Sequence, residues 1–499
     1  MLLVAFASLL MTGGCGLDEW AHNGGKVGPN YKTPLAPVAS EWIDYNDPRV
    51  KSTDADMSRW WSVFKDPVLD GLIDEALKQN LSLRIAGSRI AEARARRGIA
   101  LGNMFPQTQE AAGSYTHNKA SRETLGGKSN EWFANAEAGF NLSWELDFWG
   151  RFRRGIEASD AELDATIENY DDVLVILLSD VATNYVQYRL FQERLNYARE
   201  NLDTQTKSYQ LTKDKFTAGG TTERDVQQAK QIMEETRASI PSLEAGVRQS
   251  GNALCVLMGI PTRDLTERLG KDGKIPFAGR EVAVGIPADL LRRRPDVRRV
   301  ERQTAAQSAQ IGIAKSDLYP RFSLIGGIGV QSEHIHDLFN TPGSFAGTIG
   351  PAFHWDIFNY GRIENGVRVE EARYEGLMNS YQDAVLRAGR DMEDSLIGFL
   401  KAQERAAILE QSVSAAQRTV DISLDQYKEG VIDFTPIFIF QRTLTDQQDA
   451  LAQARGEIAL NLVGVYRSLG GGWDVRPPYT GENSAATQPS KPQSSAPAP

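Results

Sequence analysis

The chain repeats itself at one long interval. WELDFWGR, Trp144 to Arg151, returns as WDIFNYGR, Trp355 to Arg362. Gly219 in FTAGG returns as Gly430 in YKEGV, and Gly259 in VLMGIP returns as Gly470 in RSLGGG. Each pair is 211 residues apart, so the chain holds two copies of one supersecondary unit. Upstream, MFPQ at Phe105 and Pro106 matches LYPR at Tyr319 and Pro320, with a three-residue slip that belongs in a loop.

The unit joins two unlike pieces. Phe140, Leu142, Trp144, Leu146 and Phe148 alternate with Asn141, Ser143, Glu145 and Asp147, the period of a strand with one oily and one wet face. In the second copy Phe345, Ile349, Phe353, Trp355 and Ile357 do the same against Ser344, Thr348, His354 and Asp356. After Gly150 the alternation stops. From Arg151 to Thr217 only Gly155 interrupts good helix formers, and no proline falls between Arg362 and Glu429. Helices of that length span about 100 Å. Leu163, Ile167, Tyr170, Leu174, Leu177, Val181, Tyr185 and Tyr188 step by threes and fours, giving an oily seam. Each unit is therefore expected to read helix, strand, strand, long helix, turn, helix.

The expected divisions follow. Residues 1–14 form a signal peptide, and 15–65 an N-terminal tether segment. The first repeat covers 66–260, with strands 105–118 and 131–149 and helices 151–217 and 222–258. A linker occupies 261–294. The second repeat covers 295–470, with strands 319–333 and 343–359 and helices 362–428 and 434–469. A C-terminal end and a disordered tail fill 471–499, where ENSAATQPSKPQSSAPAP has too little to bury.

Composition narrows the function. The 499 residues carry a formal net charge of −10, which argues against a nucleic-acid binder. MLLVAFASLLMTGGCG is an apolar run closed by small residues and a cysteine, the pattern of a bacterial lipoprotein signal cut before Cys15. It lacks a basic n-region, and Thr12 stands where such signals usually carry leucine. Cys15 is then the acylated N-terminus, and Cys255 is a small core residue. No histidine falls in a zinc-protease or Cys/His spacing; His334 and His336 flank Ile335 in a strand-loop, and GGIGV at 326–330 leads into no helix. Neither an enzyme, a metal site nor any cofactor is expected.

Two copies supply four strands but no further apolar layer to cover the oily face. Lipid accepts such a face, yet a sheet in hydrocarbon must close, because open edges leave backbone groups unpaired. Known membrane barrels start at about eight strands, so four require partners, and three copies give twelve. Trp132, Trp144, Phe148, Trp149, Trp355 and Tyr360 suit the interfacial girdles. A soluble sandwich and a surface lipoprotein with a coiled-coil structural or adhesive stalk are the alternatives. A stalk has no use for amphipathic strands.

On these motifs, and on VGPNYKTP at 27–34, RWWSVFKDPVLDGLIDEAL at 59–77 and GIPADLLRRRPDVRRVE at 285–301, the chain resembles the TolC-like outer-membrane efflux factors. The likeness is to the lipoprotein subgroup that serves resistance-nodulation-division pumps. The resemblance implies a mainly α fold with a membrane β-barrel: a homotrimer with a twelve-stranded barrel in outer-membrane lipid and a twelve-helix periplasmic tunnel, ringed by a belt from the segments near 40–66, 259–295 and 470–480. It implies two further partners, a periplasmic adaptor and an inner-membrane resistance-nodulation-division pump, and a passive exit conduit as the function. Adaptor contact falls on the two turns, Ala218, Gly219 and Gly220, then Glu429, Gly430 and Val431. Ala218 and Glu429 depart from the usual valine. The gate falls on Asp225, Tyr427 and Arg442, with Asp433 a looser substitute, since Ile439 and Pro436 occupy positions usually acidic. A hydrogen bond from Tyr427 to the Asp225 carboxylate, with Arg442 drawn to the same end, is the expected lock.

Overall fold

The computed structural model describes residues 20–51, 57–119, 132–270, 273–277, 279–287, 293–340 and 342–476. Cys15, the first hairpin loop and the tail lie outside them. Among the described residues seven long helices carry the fold: α1 (Pro67–Gln79), α2 (Leu81–Gly102), α3 (Arg151–Thr217), α4 (Glu223–Leu257), α5 (Pro295–Ser316), α6 (Arg362–Lys428) and α7 (Phe434–Ser468). Four long strands accompany them: β1 (Thr108–Lys119), β2 (Trp132–Glu145), β3 (Arg321–Ser332) and β4 (Phe345–His354). The repeat survives to the residue. α3 and α6 each have 67 residues, and α4 and α7 each have 35.

The strands are shorter than alternation alone predicts. β1 begins at Thr108, not 105, because Pro106 has no N–H to give and Gln107 bonds through its side chain instead. The Gln107 amide donates to the Glu145 carbonyl (3.2 Å) and accepts from the Glu145 N–H (2.7 Å). β2 stops at Glu145, not 149. Beyond it, the Asp147 carboxylate accepts from the N–H groups of Phe152 (2.8 Å) and Arg153 (3.1 Å), so this side chain caps the start of α3. Leu146 and Phe148 therefore belong to a connector. β4 likewise ends at His354, where the chain turns into α6.

Compactness divides the chain into two units, each drawing on both repeats. One unit comprises Met1–Ala36, Ile90–Ile167 and Arg299–Asp383, and holds the sheet. The other comprises Pro37–Arg89, Glu168–Arg298 and Ala384–Pro499. In the second unit Trp60 and Trp61 are buried, and Trp60 stacks on Tyr466 with ring centroids 5.3 Å apart. Gly471 lies against that ring: a Cβ there would sit 2.9 Å from Trp60 Cδ1. Asp66 caps α1 by accepting from Val68 N (2.9 Å), and its other oxygen accepts from the Tyr185 hydroxyl (2.6 Å). Val50–Lys51 pairs in parallel with Val282–Ala283. In the sheet unit the tether is clamped by buried Arg154, which donates to the carbonyls of Val27 (3.1 Å) and Gly28 (2.7 Å).

Candidate channel sheet and helical tip

The sheet runs β1-β2-β3-β4, antiparallel throughout. Register decides which side chains share a face. Phe140 faces Ile328, Trp144 faces Leu324, and Phe322 faces Phe353. Leu142 and Ile349 both sit opposite Gly326. These oily residues of three strands thus fall on one face, while Ile325 and Phe133 fall on the other. The other carries Asn141 opposite Glu110, Glu137 opposite Ser114 and Gln331, and Thr348 opposite Gly327. β1 adds Ala111, Gly113, Tyr115 and His117 to the oily face, which explains its weak alternation. Ile349, Phe353 and Ile328 stand exposed, and among the described residues β1 and β4 each keep one edge unpaired.

The aromatic residues divide into two sets. Trp132 and Tyr360 are exposed, as girdle residues should be. Trp149 is not: it is buried against Tyr319 and Trp20, and its indole donates to the Pro320 carbonyl at 2.8 Å. Trp144 and Trp355 are half-buried, donating to the carbonyls of Met104 (3.2 Å) and Leu318 (3.1 Å).

The second site lies at the turns joining α3 to α4 and α6 to α7. Both turns end a long helix in the same way. Gly219 (φ +75°) donates to Phe216 O, and Gly220 to Lys215 O at 2.8 Å; Gly430 (φ +78°) donates to Tyr427 O, and Val431 to Gln426 O at 2.9 Å. These are helix ends in which a left-handed residue, favourable only for glycine, lets the chain reverse. Ala218, Gly219, Gly220, Glu429, Gly430 and Val431 are all exposed. No atom outside the turn lies within 4 Å of a Cβ placed on either left-handed glycine, so the backbone there is open to a visitor.

The expected lock is not made within the chain. Asp225 is buried, but its carboxylate accepts from the Thr221 hydroxyl (2.7 Å), the Thr222 N–H (3.3 Å) and the Arg224 guanidinium (3.3 Å). Thr222 and Asp225 form a reciprocal cap on α4. Burial pushes the Asp225 carboxyl up, but these hydrogen bonds outweigh it and hold the group below its ordinary range. The Tyr427 hydroxyl is buried without a hydrogen-bond partner among the described residues. Its ring packs edge-on against Phe434 (5.6 Å) and joins Ala229 and Ile437 in a small core. Helix geometry explains the miss: Tyr427 is drawn into the apolar cluster that seats α7, while Asp225 turns back to its own helix start. Asp433 precedes α7 without a side-chain cap, and Arg442 is exposed.

One residue absent from the expected set links the two turns. Lys215, in the last turn of α3, donates to the carbonyls of Tyr427 and Lys428 (3.2 Å) at the end of α6. Its ammonium also sits 4.5 Å from the Tyr427 ring centroid. A cation at a helix C-terminus satisfies orphan carbonyls and the helix dipole together. Among the described residues, no group of three or more His, Cys, Asp or Glu could hold a metal ion.

The arrangement has counterparts in known proteins. The family model for outer membrane efflux proteins matches residues 72–260 and 286–471. Nodulation protein T of Rhizobium leguminosarum bv. trifolii is 31% identical over 454 residues, covering 90% of this chain and 94% of that protein. The probable outer membrane lipoprotein SilC of Salmonella typhimurium is 28% identical over 451 residues, 90% of this chain and 95% of its own length. Among solved structures, the outer-membrane channel OprN superposes with a TM-score of 0.83 at 32% identity, over 90% of this chain and 100% of that one. Two-faced strands with open edges, paired long helices and a family match across both repeats agree, and the chain belongs to the outer membrane efflux protein family.

Proposed function

We propose that three copies pool their strands into one twelve-stranded barrel in the outer membrane, which leads down into a tunnel of long helices. The wet faces line the passage and the oily faces meet lipid. The conduit is passive: an inner-membrane pump of the resistance-nodulation-division class drives substrate into it through a periplasmic adaptor. That adaptor meets the open glycine turns at Gly219 and Gly430, flanked by Ala218, Gly220, Glu429 and Val431. The gate lies just above, where Asp225 and Tyr427 fix the two turns and the exposed Arg442 and Asp433 reach toward neighbouring copies. No catalytic step is involved. A lipid on Cys15 adds an anchor beside the barrel.

The observation that carries this reading is the sheet, oily on one face, wet on the other and, among the described residues, unpaired at both edges. Such edges are intolerable in hydrocarbon. Native mass analysis of the detergent-purified protein should return three copies. A stable, folded monomer would contradict the proposal. Cys15→Ser should abolish incorporation of radiolabelled palmitate, and undiminished labelling would exclude that lipid site.

A further inference from the structure

The contact between β2 and β3 occurs once in the chain, although each strand has a repeat mate. The mate of β2 is β4 and the mate of β3 is β1, and these are the two open edges. Register fixes the correspondence. Ser143 faces Thr108, and its mate His354 faces Arg321, so within the strands β1 maps onto β3 at an interval of 213 residues. Ahead of the strands the interval is 214, as Phe105 and Pro106 match Tyr319 and Pro320; Gln107 is the extra residue. Contacts obey this map, since Trp144 donates to Met104 O and its mate Trp355 donates to Leu318 O.

Coverage of side chains gives a second, independent observation. Trp149 is 8% exposed, stacked on Tyr319 with centroids 4.4 Å apart and planes 23° apart, and flanked by Trp20 and Phe148. Its mate Tyr360 is 100% exposed, held at φ +49° where bulky residues are rare. The mate of Tyr319, Phe105, is 68% exposed. Both halves of a second stack therefore exist, at opposite edges of one sheet. With strands spaced about 4.8 Å apart, those edges are roughly 14 Å from each other and cannot meet within a chain.

We propose that β4 of one copy pairs antiparallel with β1 of the next in the register that β2 and β3 use. This rests on the pooled-barrel reading and adds its register. Ala352 then lies opposite Ser114 of the partner subunit, as Asn141 lies opposite Gly327. Gly350 lies opposite Thr116 of the partner subunit, as Gly139 lies opposite Gly329. Tyr360 stacks on Phe105 of the partner subunit. The oily face stays with the oily face under this map, Phe353 meeting the partner subunit's Gly113 and Ile349 meeting the partner subunit's His117; a one-residue slip would reverse the faces.

Cysteine pairs test the register. In a Cys255→Ser background, Ala352→Cys with Ser114→Cys should give covalent dimers and trimers under mild oxidation. Ala352→Cys with Ala112→Cys or Thr116→Cys keeps the face but slips by two residues. Directly opposite positions meet disulfide geometry, whereas diagonal ones fall at about 7–8 Å, so the slipped pairs should cross-link roughly tenfold less. Tyr360→Ser and Phe105→Ser should each lower the temperature at which the trimer falls apart in SDS, and the double variant no more than the worse single one. If a slipped pair cross-links better, or no pair does while the parent protein is a trimer by mass, the register is wrong and the barrel stands. If the parent protein forms no trimer, the barrel reading itself fails.

Discussion

At the scale of single residues, Asp225 is a fixing point for a turn and not one half of a hydrogen bond across it. Its carboxylate closes the cap on α4, so Asp225→Ala should cost about 0.5–2 kcal/mol, felt as faster amide exchange in the first turn of α4. The folded group is held below its ordinary range, so its contribution is complete above the unfolded pKa and is lost as pH falls through the folded value. Protection of that turn should hold from neutral pH down into the ordinary carboxylate range and drop only below it. The alanine variant should lack the drop; a variant that keeps it would assign the effect to another group. Thr222 and Asp225 stand at the spacing of a capping pair, yet the family resemblance places Asp225 only in the gate. Lys215 was not legible at all, since its carbonyl partners lie more than 200 residues away and no local pattern joins them.

Among the elements, α3 changes character along its length. Its upper seam is apolar, with Leu174, Leu178, Val181 and Tyr185 fully buried. From Asn201 the buried positions are Asn201, Gln205, Ser208 and Thr212, spaced by four, three and four. Ser208 accepts from Gln441 (2.9 Å), and Asn201 donates to Gln448 (2.7 Å). Gln205 is the exception: both ends of its amide are buried without a partner among the described residues. Leaving such groups unsatisfied costs about 1–3 kcal/mol, so Gln205→Leu, close in volume, should raise the thermal midpoint. A lower midpoint would mean that the amide is satisfied in the assembled protein. The apolar part of the α3 seam, Leu163 to Tyr188, was legible, whereas its polar continuation was not, because only apolar residues mark a buried face in the sequence. Where its strand neighbours end was only partly legible, because alternation runs on past Glu145 into a connector in which the Leu146 N–H still bonds Phe322 O (2.8 Å) but Asp147 turns away to cap α3.

For the whole molecule, the repeat made the architecture legible and the register made it specific. An interval of 211 residues implied two hairpins and two helix pairs, and oily strands without a cover implied lipid. What the chain alone could not supply was how the hairpins join. β2 meeting β3, with β1 and β4 left at the edges, is a fact of long-range pairing that no local pattern encodes. The girdle was only partly readable, since Trp149 has the composition of an interfacial residue and the position of a core one. The claim on which everything rests is that pooled sheets make a continuous passage through a membrane. Single-channel recording in a planar bilayer tests it most directly, using the wild-type protein beside Asp225→Ala. Discrete unitary steps of one size are expected from the wild type, and larger ones from the variant as the turns loosen. If neither protein gives unitary steps, although both run as folded trimers by mass, the sheet does not form a channel.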